Sequence, residues 1–143
     1  MKVYDTGNIR NVVLLGHGGA GKTTVAEALA YVTGVTTRMG SVPEGNTVSD
    51  YDKEEIKRKF SISATTVPIE YKGEHGDLKI NILDTPGYFD FVGEVEEAVS
   101  VADAAIIVVN CKAGIEPGTL RAWDICEKYR IPRLFFVTNM DDD

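Results

Sequence analysis

From residue 16 to residue 23 the chain reads Gly16-His17-Gly18-Gly19-Ala20-Gly21-Lys22-Thr23, which fits glycine, four residues, then Gly-Lys-Ser/Thr. Each residue type has a chemical reason to be where it is. Glycines carry no β-carbon, so the backbone can wrap closely around a phosphate with its N–H groups turned inward. A helix that starts at the end of the loop adds the positive end of its dipole. Lys22 can reach the β- and γ-phosphates of a nucleotide, and the Thr23 hydroxyl can ligate Mg²⁺. Thr24 follows in the first helical turn. The plainer alternative is a glycine-rich turn with no ligand, and the position between a strand pattern and a helix pattern argues against it.

Two further clusters carry chemistry of the same kind. Asp84-Thr85-Pro86-Gly87 closes an apolar run. A carboxylate there can hold Mg²⁺, directly or through water, and the Gly87 N–H can approach a γ-phosphate. On its own this tetrapeptide is an ordinary turn; after a phosphate loop it reads as the second half of a nucleotide site. Thr138-Asn139-Met140-Asp141 follows the last apolar run. Asp141 can accept hydrogen bonds from N1–H and the exocyclic amine of guanine, although a lone Asp after a strand also serves as a helix cap or turn residue.

These residues need strands and helices to position them. Val12, Val13, Leu14 and Leu15 form a short run that suits a strand apolar on both faces. From Lys22 the period changes: Val25, Ala28, Leu29 and Val32 fall on one helical face, and Gly34 stops the helix. Residues 61–71 and 78–83 read as two strands joined by a hairpin through Gly73, Glu74, His75 and Gly76. A helix follows with Val92, Val95, Val99 and Ala102 on one side, then a buried strand over 104–109. Pro117 opens another helix, whose apolar side includes Leu120, Trp123 and Tyr129, and residues 134–137 give the last strand. The expected fold is therefore α/β: a mostly parallel sheet with one antiparallel strand and helices on both faces, a P-loop NTPase architecture. Its ligand belongs at the carboxyl ends of the strands.

The bulk composition narrows the possibilities. The chain has 143 residues, enough for one domain with its own core, and is 43% hydrophobic and 26% charged. A net charge of −7 argues against a broad basic surface for nucleic acid, and so against direct sequence-specific DNA binding. The two cysteines, Cys111 and Cys126, form no CxxC pair and suit free thiols in a reducing compartment. The longest apolar runs are far too short to span a bilayer, so the expected location is cytoplasmic with no membrane partner.

Several motifs in order, over almost the whole chain, make the sequence resemble the translation-factor GTPases, most closely elongation factor G, elongation-factor-G-like proteins and ribosomal-protection proteins. The resemblance covers residues 16–24, Gly45-Asn46-Thr47-Val48-Ser49-Asp50-Tyr51, residues 54–63, residues 84–87, Asp90-Phe91 and Lys112-Ala113-Gly114-Ile115-Glu116-Pro117. It implies GTP or GDP as ligand with Mg²⁺, hydrolysis of GTP, and the ribosome as partner of the intact protein. Residues 35–63 would be switch I, Asp84 onward switch II, and Asp141 part of the guanine motif. Gly16, His17, Gly18, Gly19, Ala20, Gly21, Lys22, Thr23, Thr24, Asp84, Gly87, Thr138, Asn139 and Asp141 would line the nucleotide. Thr23, Ser61 and Asp84 would serve Mg²⁺, and Lys22, Gly87 and Tyr88 would take part in the reaction. The rest of the G domain and the later domains of such proteins are expected beyond residues 1–143.

Four positions depart from the family pattern. Ser61 stands where a switch I threonine is usual, which keeps a hydroxyl. Tyr88 stands where the family has the histidine that positions water; a phenol, with a pKa near 10, is a poor proton acceptor at pH 7. Gly19 replaces a P-loop Asp and cannot help hold a monovalent cation. Thr138-Asn139 replaces Asn-Lys: Thr138 can donate one hydroxyl hydrogen bond, and Asn139 lacks the long stem that covers the base. Two alternatives stay open from sequence, a nucleotide-binding switch that does not hydrolyse and an ATP-dependent P-loop enzyme.

Overall fold

The computed structural model describes residues 2–49, 57, 61, 63–74, 76–87 and 92–141. Five strands form one sheet: β1 (Ile9–Gly16), β2 (Thr65–Gly73), β3 (Gly76–Asp84), β4 (Ala104–Asn110) and β5 (Arg133–Thr138). Among the described residues three α-helices cover it: α1 (Lys22–Val32), α2 (Val92–Ser100) and α3 (Pro117–Tyr129). The strand order is β2-β3-β1-β4-β5. β1 runs parallel to both β3 and β4, β4 is parallel to β5, and only β2 is antiparallel to its neighbour. This is the α/β arrangement expected from the sequence.

Alternation along β1 divides the core into two layers. Val13 and Leu15 point to one face and pack with Leu83, Ile107, α2 residues Ala98 and Val99, and α3 residues Ala122 and Cys126. Leu14 points to the other and packs with Ile82, Val108, Val67, Ile69 and α1 residues Val25, Ala26 and Ala30. Val13, Leu14 and Leu15 are at most 1% exposed, and burying each contributes about 1.5–3 kcal/mol. The connection from β1 leads through α1 to β2 on one side, and that from β3 crosses through α2 to β4 on the other. A crevice therefore opens at the carboxyl ends of β1 and β3, where α/β sheets hold ligands.

The helices turn differently from the expectation based on hydropathy. In α1 the buried side is Lys22, Val25, Ala26, Glu27 and Ala30, while Val32 is 81% exposed. Ala26 and Ala30 let the helix lie close to the sheet, and the chain turns away after Val32. There Gly34 donates its N–H to the Tyr31 carbonyl (3.0 Å) and Val35 to Ala30 (2.9 Å), a Schellman closure at the glycine that marks the helix end in the sequence. In α3 the buried side is Gly118, Thr119, Ala122 and Cys126, and Leu120 and Trp123 face outward. Trp123 stacks on Phe135 with ring centroids 6.0 Å apart and lies under the Arg133 guanidinium, 3.7 Å from the ring centre.

One strand boundary also shifts. β2 begins at Thr65 rather than at residue 61, which leaves Ser61 outside the sheet. β5 is an edge strand, and its Leu134, Phe135, Phe136 and Val137 are 54, 53, 46 and 43% exposed. His75 lies outside the described residues. Cys111 is exposed and Cys126 buried, and both are free thiols. Among the described residues no helix is long and apolar enough to cross a membrane.

Candidate nucleotide-binding site

The loop after β1 folds as its glycines require. Gly16, Gly19 and Gly21 adopt φ values of 140°, 82° and 97°. Within it the Ala20 N–H donates to the His17 carbonyl (3.2 Å), and the Val25 N–H to that of Gly21 (2.9 Å). Gly21 is the N-cap of α1, offers no side-chain cap, and no acidic residue occupies the first turn. A helix start of this kind leaves its first amides and its positive end to an external anion.

Lys22 is folded back across the loop. Its Nζ donates to the carbonyls of Gly16 (3.2 Å) and His17 (2.9 Å), and the residue is only 6% exposed. Burial pushes its pKa down to about 8, partly offset by the carboxylates of Asp84 and Glu116. An arriving phosphate supplies the counter-charge that burial lacks and raises the pKa again. At pH 8, where about half the empty sites hold the proton, binding of a Mg²⁺-nucleotide should draw about half a proton from solution, and affinity should fall as pH rises further. Calorimetry in buffers of different ionisation enthalpy measures this directly; zero uptake at that pH would contradict it.

Asp84 ends β3 beside the loop. The Thr23 hydroxyl donates to Asp84 Oδ2 at 2.8 Å, and Ser61 Oγ lies 3.2 Å from Thr23 Oγ1. The three residues expected to serve Mg²⁺ thus meet at one point. Asp84 is 1% exposed, and the Thr85 hydroxyl beside it donates to the Leu14 carbonyl at 2.6 Å, pinning the end of β3 to β1. Thr85 has no role in the sequence-based site, because its partner is distant along the chain. Gly87 packs directly on the phosphate loop: a β-carbon there would overlap Lys22 Nζ and stand 2.6 Å from the Gly18 nitrogen. Only glycine allows this approach. Tyr88, the residue at the family's histidine position, lies outside the described residues.

The loop is held from two other sides. The Thr138 hydroxyl, at the end of β5, donates to the Ala20 carbonyl at 2.8 Å. The Val109 carbonyl lies 3.3 Å from the same hydroxyl as a second, longer acceptor, and the bond to Ala20 joins the end of β5 to the phosphate loop. Asn139 follows with φ 55°, and Asp141 is exposed at the same sheet end. His17 Nδ1 accepts the Gly118 N–H (3.2 Å), and its Nε2 lies 3.5 Å from Glu116 Oε1. Glu116 caps α3 in a capping box with Thr119, so His17 braces the loop against that helix.

The donor set suits a small hard cation. Thr23, Asp84 and Ser61 offer oxygen alone, with one carboxylate. Mg²⁺ bound through one or two protein oxygens, substrate phosphates and retained waters fits such a set.

A phosphate loop between a parallel strand and a helix, with a carboxylate from the neighbouring strand beside its Thr, defines a P-loop nucleoside-triphosphate-binding domain. The chain belongs to the family described as elongation factor Tu GTP binding domain, whose model it matches over residues 7–143. It is 41% identical to an elongation factor G-like protein of Mycobacterium tuberculosis over 135 residues, which is 94% of this chain and 18% of that protein. It is also 41% identical over 134 residues to the mitochondrial ribosome-releasing factor 2 of Drosophila willistoni, covering 94% of this chain and 18% of the relative. A crystal structure of a Thermus thermophilus protein superposes with a TM-score of 0.88 at 42% identity, covering 94% of this chain and 20% of that one. The chain thus spans about a fifth of the length of the relatives it matches.

Proposed function

We propose that residues 1–143 form the N-terminal part of the G domain of a larger translational GTPase of the elongation factor G kind, with switch I over about residues 35–63. The protein binds GTP with Mg²⁺ and hydrolyses it in contact with the ribosome in the cytoplasm. The observation that carries this reading is the meeting of Thr23, Asp84 and Ser61 beside the phosphate loop. A hydroxyl from the loop helix, a carboxylate from β3 and a hydroxyl from the long connection come together where they would hold Mg²⁺ beside the phosphate loop.

In this reading Gly16 to Thr24 cradle the phosphates through backbone N–H groups. Lys22 leaves the carbonyls of Gly16 and His17 for the β- and γ-phosphate oxygens and balances charge that grows as water attacks in line. Gly87 presents its N–H on the γ-phosphate side, and Asp141 accepts from the guanine edge. Asn139 lies alongside the base, and Thr138 holds that segment to the loop. Bound Mg²⁺ would neutralise the phosphate oxygens, held by Thr23 and Ser61 with Asp84 close by. The presence or absence of the γ-phosphate then decides whether the connection bearing Ser61 is held.

A binding module that does not hydrolyse is favoured by the phenol of Tyr88 in place of a proton-accepting imidazole and by Gly19 in place of a P-loop carboxylate. Release of γ-phosphate by the intact protein, with and without ribosomes, separates the two. The GTPase reading expects stimulation of at least about 100-fold. GTP binding with no stimulation would overturn hydrolysis and leave the switch module. Ribosomes are the chosen activator because the relatives bear the names of elongation and ribosome-releasing factors.

A further inference from the structure

Glu27 is a carboxylate in the interior of α1, only 1% exposed. A buried carboxylate is costly unless it is met by hydrogen bonds, and an apolar residue would serve a plain helix–sheet contact better. Its partners lie well along the chain: Oε2 accepts the Gly40 N–H at 2.9 Å, and Oε1 accepts the Val48 N–H. One side chain therefore holds both ends of the segment between residues 40 and 48.

That segment is also closed on itself. The Ser41 N–H donates to Asn46 Oδ1 (2.7 Å), and Asn46 Nδ2 donates to Glu44 Oε2 (2.9 Å). A single helical turn over Val42–Glu44 ends with the Gly45 N–H on the Val42 carbonyl (3.1 Å). Thr47 and Ser49 are buried, at 8 and 1% exposure. Gly40 fits tightly: a β-carbon there would stand 2.6 Å from Glu27 Oε2 and 2.7 Å from the Asn46 carbonyl oxygen. The lobe is thus clamped to the helix that begins in the phosphate loop, and further along the same connection lies Ser61, against Thr23.

We infer that Glu27 is a positioning residue which anchors the 40–48 lobe to α1 in every nucleotide state. Only the chain beyond the lobe then responds to the γ-phosphate, and Ser61 returns to Thr23 from a fixed origin. The inference rests on the switch reading proposed above and divides the 35–63 connection into an anchored part and a responsive part. Two backbone N–H groups on one carboxylate are charge-assisted bonds, roughly twice as strong as neutral ones.

Amide hydrogen exchange on the intact protein tests this in the nucleotide-free state, with GDP, and with a non-hydrolysable GTP analogue. Gly40 and Val48 should be protected to the same extent, within about threefold, in all three. Protection that appears only with the GTP analogue would overturn the inference. In Glu27→Ala, exchange at Gly40 and Val48 should rise by about tenfold or more while the amides of β1 and β4 are unchanged. The same variant should bind GDP as before but lose about tenfold in its preference for the GTP analogue over GDP, with Glu27→Gln intermediate. Gly40→Ala reaches the clamp from the lobe side and should reproduce that loss. An unchanged preference in both Glu27→Ala and Gly40→Ala would refute the positioning role, as would a general rise in exchange across the sheet. The exchange pattern of the unsubstituted protein is read without any turnover, so a failure of hydrolysis leaves it standing.

Discussion

Lys22→Ala should weaken binding of Mg²⁺-GTP about 100-fold, equivalent to about 2.7 kcal/mol, the range of charge-assisted bonds lost from a partly enclosed site. The lysine sits at the start of α1, 6% exposed, with its amine on two loop carbonyls. In the proposed function it leaves those carbonyls for phosphate oxygens. The effect belongs to the ligand and not to the fold, and a second variant shows this. Lys22→Met keeps the buried stem and removes an amine whose charge is disfavoured by burial, so it should melt no lower than the unsubstituted protein while still losing affinity. Fluorescent-nucleotide competition and thermal unfolding give both numbers. Unaltered affinity in Lys22→Ala would remove this lysine from the site.

Gly16→Ala should destabilise the fold by about 3 kcal/mol, or about 10 °C in Tm for a domain of this size, before any question of binding arises. Two causes combine. The residue has φ 140°, a region that L side chains rarely enter. Its new methyl would also overlap the Val108 carbonyl oxygen and stand 3.3 Å from the carbonyl carbon. Val108 is fully buried and paired with Gly16 in the β1–β4 register, so the obstacle is a central strand and not a flexible side chain. Gly19→Ala separates the two causes. At φ 82° it is strained, but its β-carbon would meet nothing within 4 Å, so it should cost only about 1–2 kcal/mol. Denaturant unfolding of both variants gives the comparison, and equal losses would show that the Val108 contact is immaterial.

What could be read from sequence follows from how local each feature is. The phosphate loop is contiguous, and its strand–loop–helix setting is written in neighbouring residues, so its structure matches the expectation. β1, β4 and the hairpin of β2 with β3 also show as apolar runs between turn residues. Helix facing was less legible. Hydropathy weights Val32, Leu120 and Trp123 above alanine, yet the sheet takes Ala26, Ala30, Gly118 and Ala122, because small side chains permit close approach. β5 shows as an apolar run, and the strand order places it at the sheet edge.

The contacts that assemble the site were least legible of all. Thr85 meets the Leu14 carbonyl 71 positions away, Thr138 meets Ala20 at a separation of 118, and Glu27 meets Gly40 and Val48 across the long connection. No local period marks such bonds. A buried acid within a helix is the one trace that Glu27 leaves in the sequence, and on its own it resembles a solvent-facing residue.

The claim on which the rest depends is that the site takes a guanine nucleotide with Mg²⁺. Isothermal titration of the protein with Mg²⁺-GTP and then Mg²⁺-ATP, alongside Lys22→Ala, tests it most directly. The account predicts saturable binding of GTP at a single site, ATP weaker by about 100-fold for want of the Asp141 contacts, and the loss in Lys22→Ala described above. Equal binding of ATP and GTP, or GTP binding indifferent to Lys22, would contradict it.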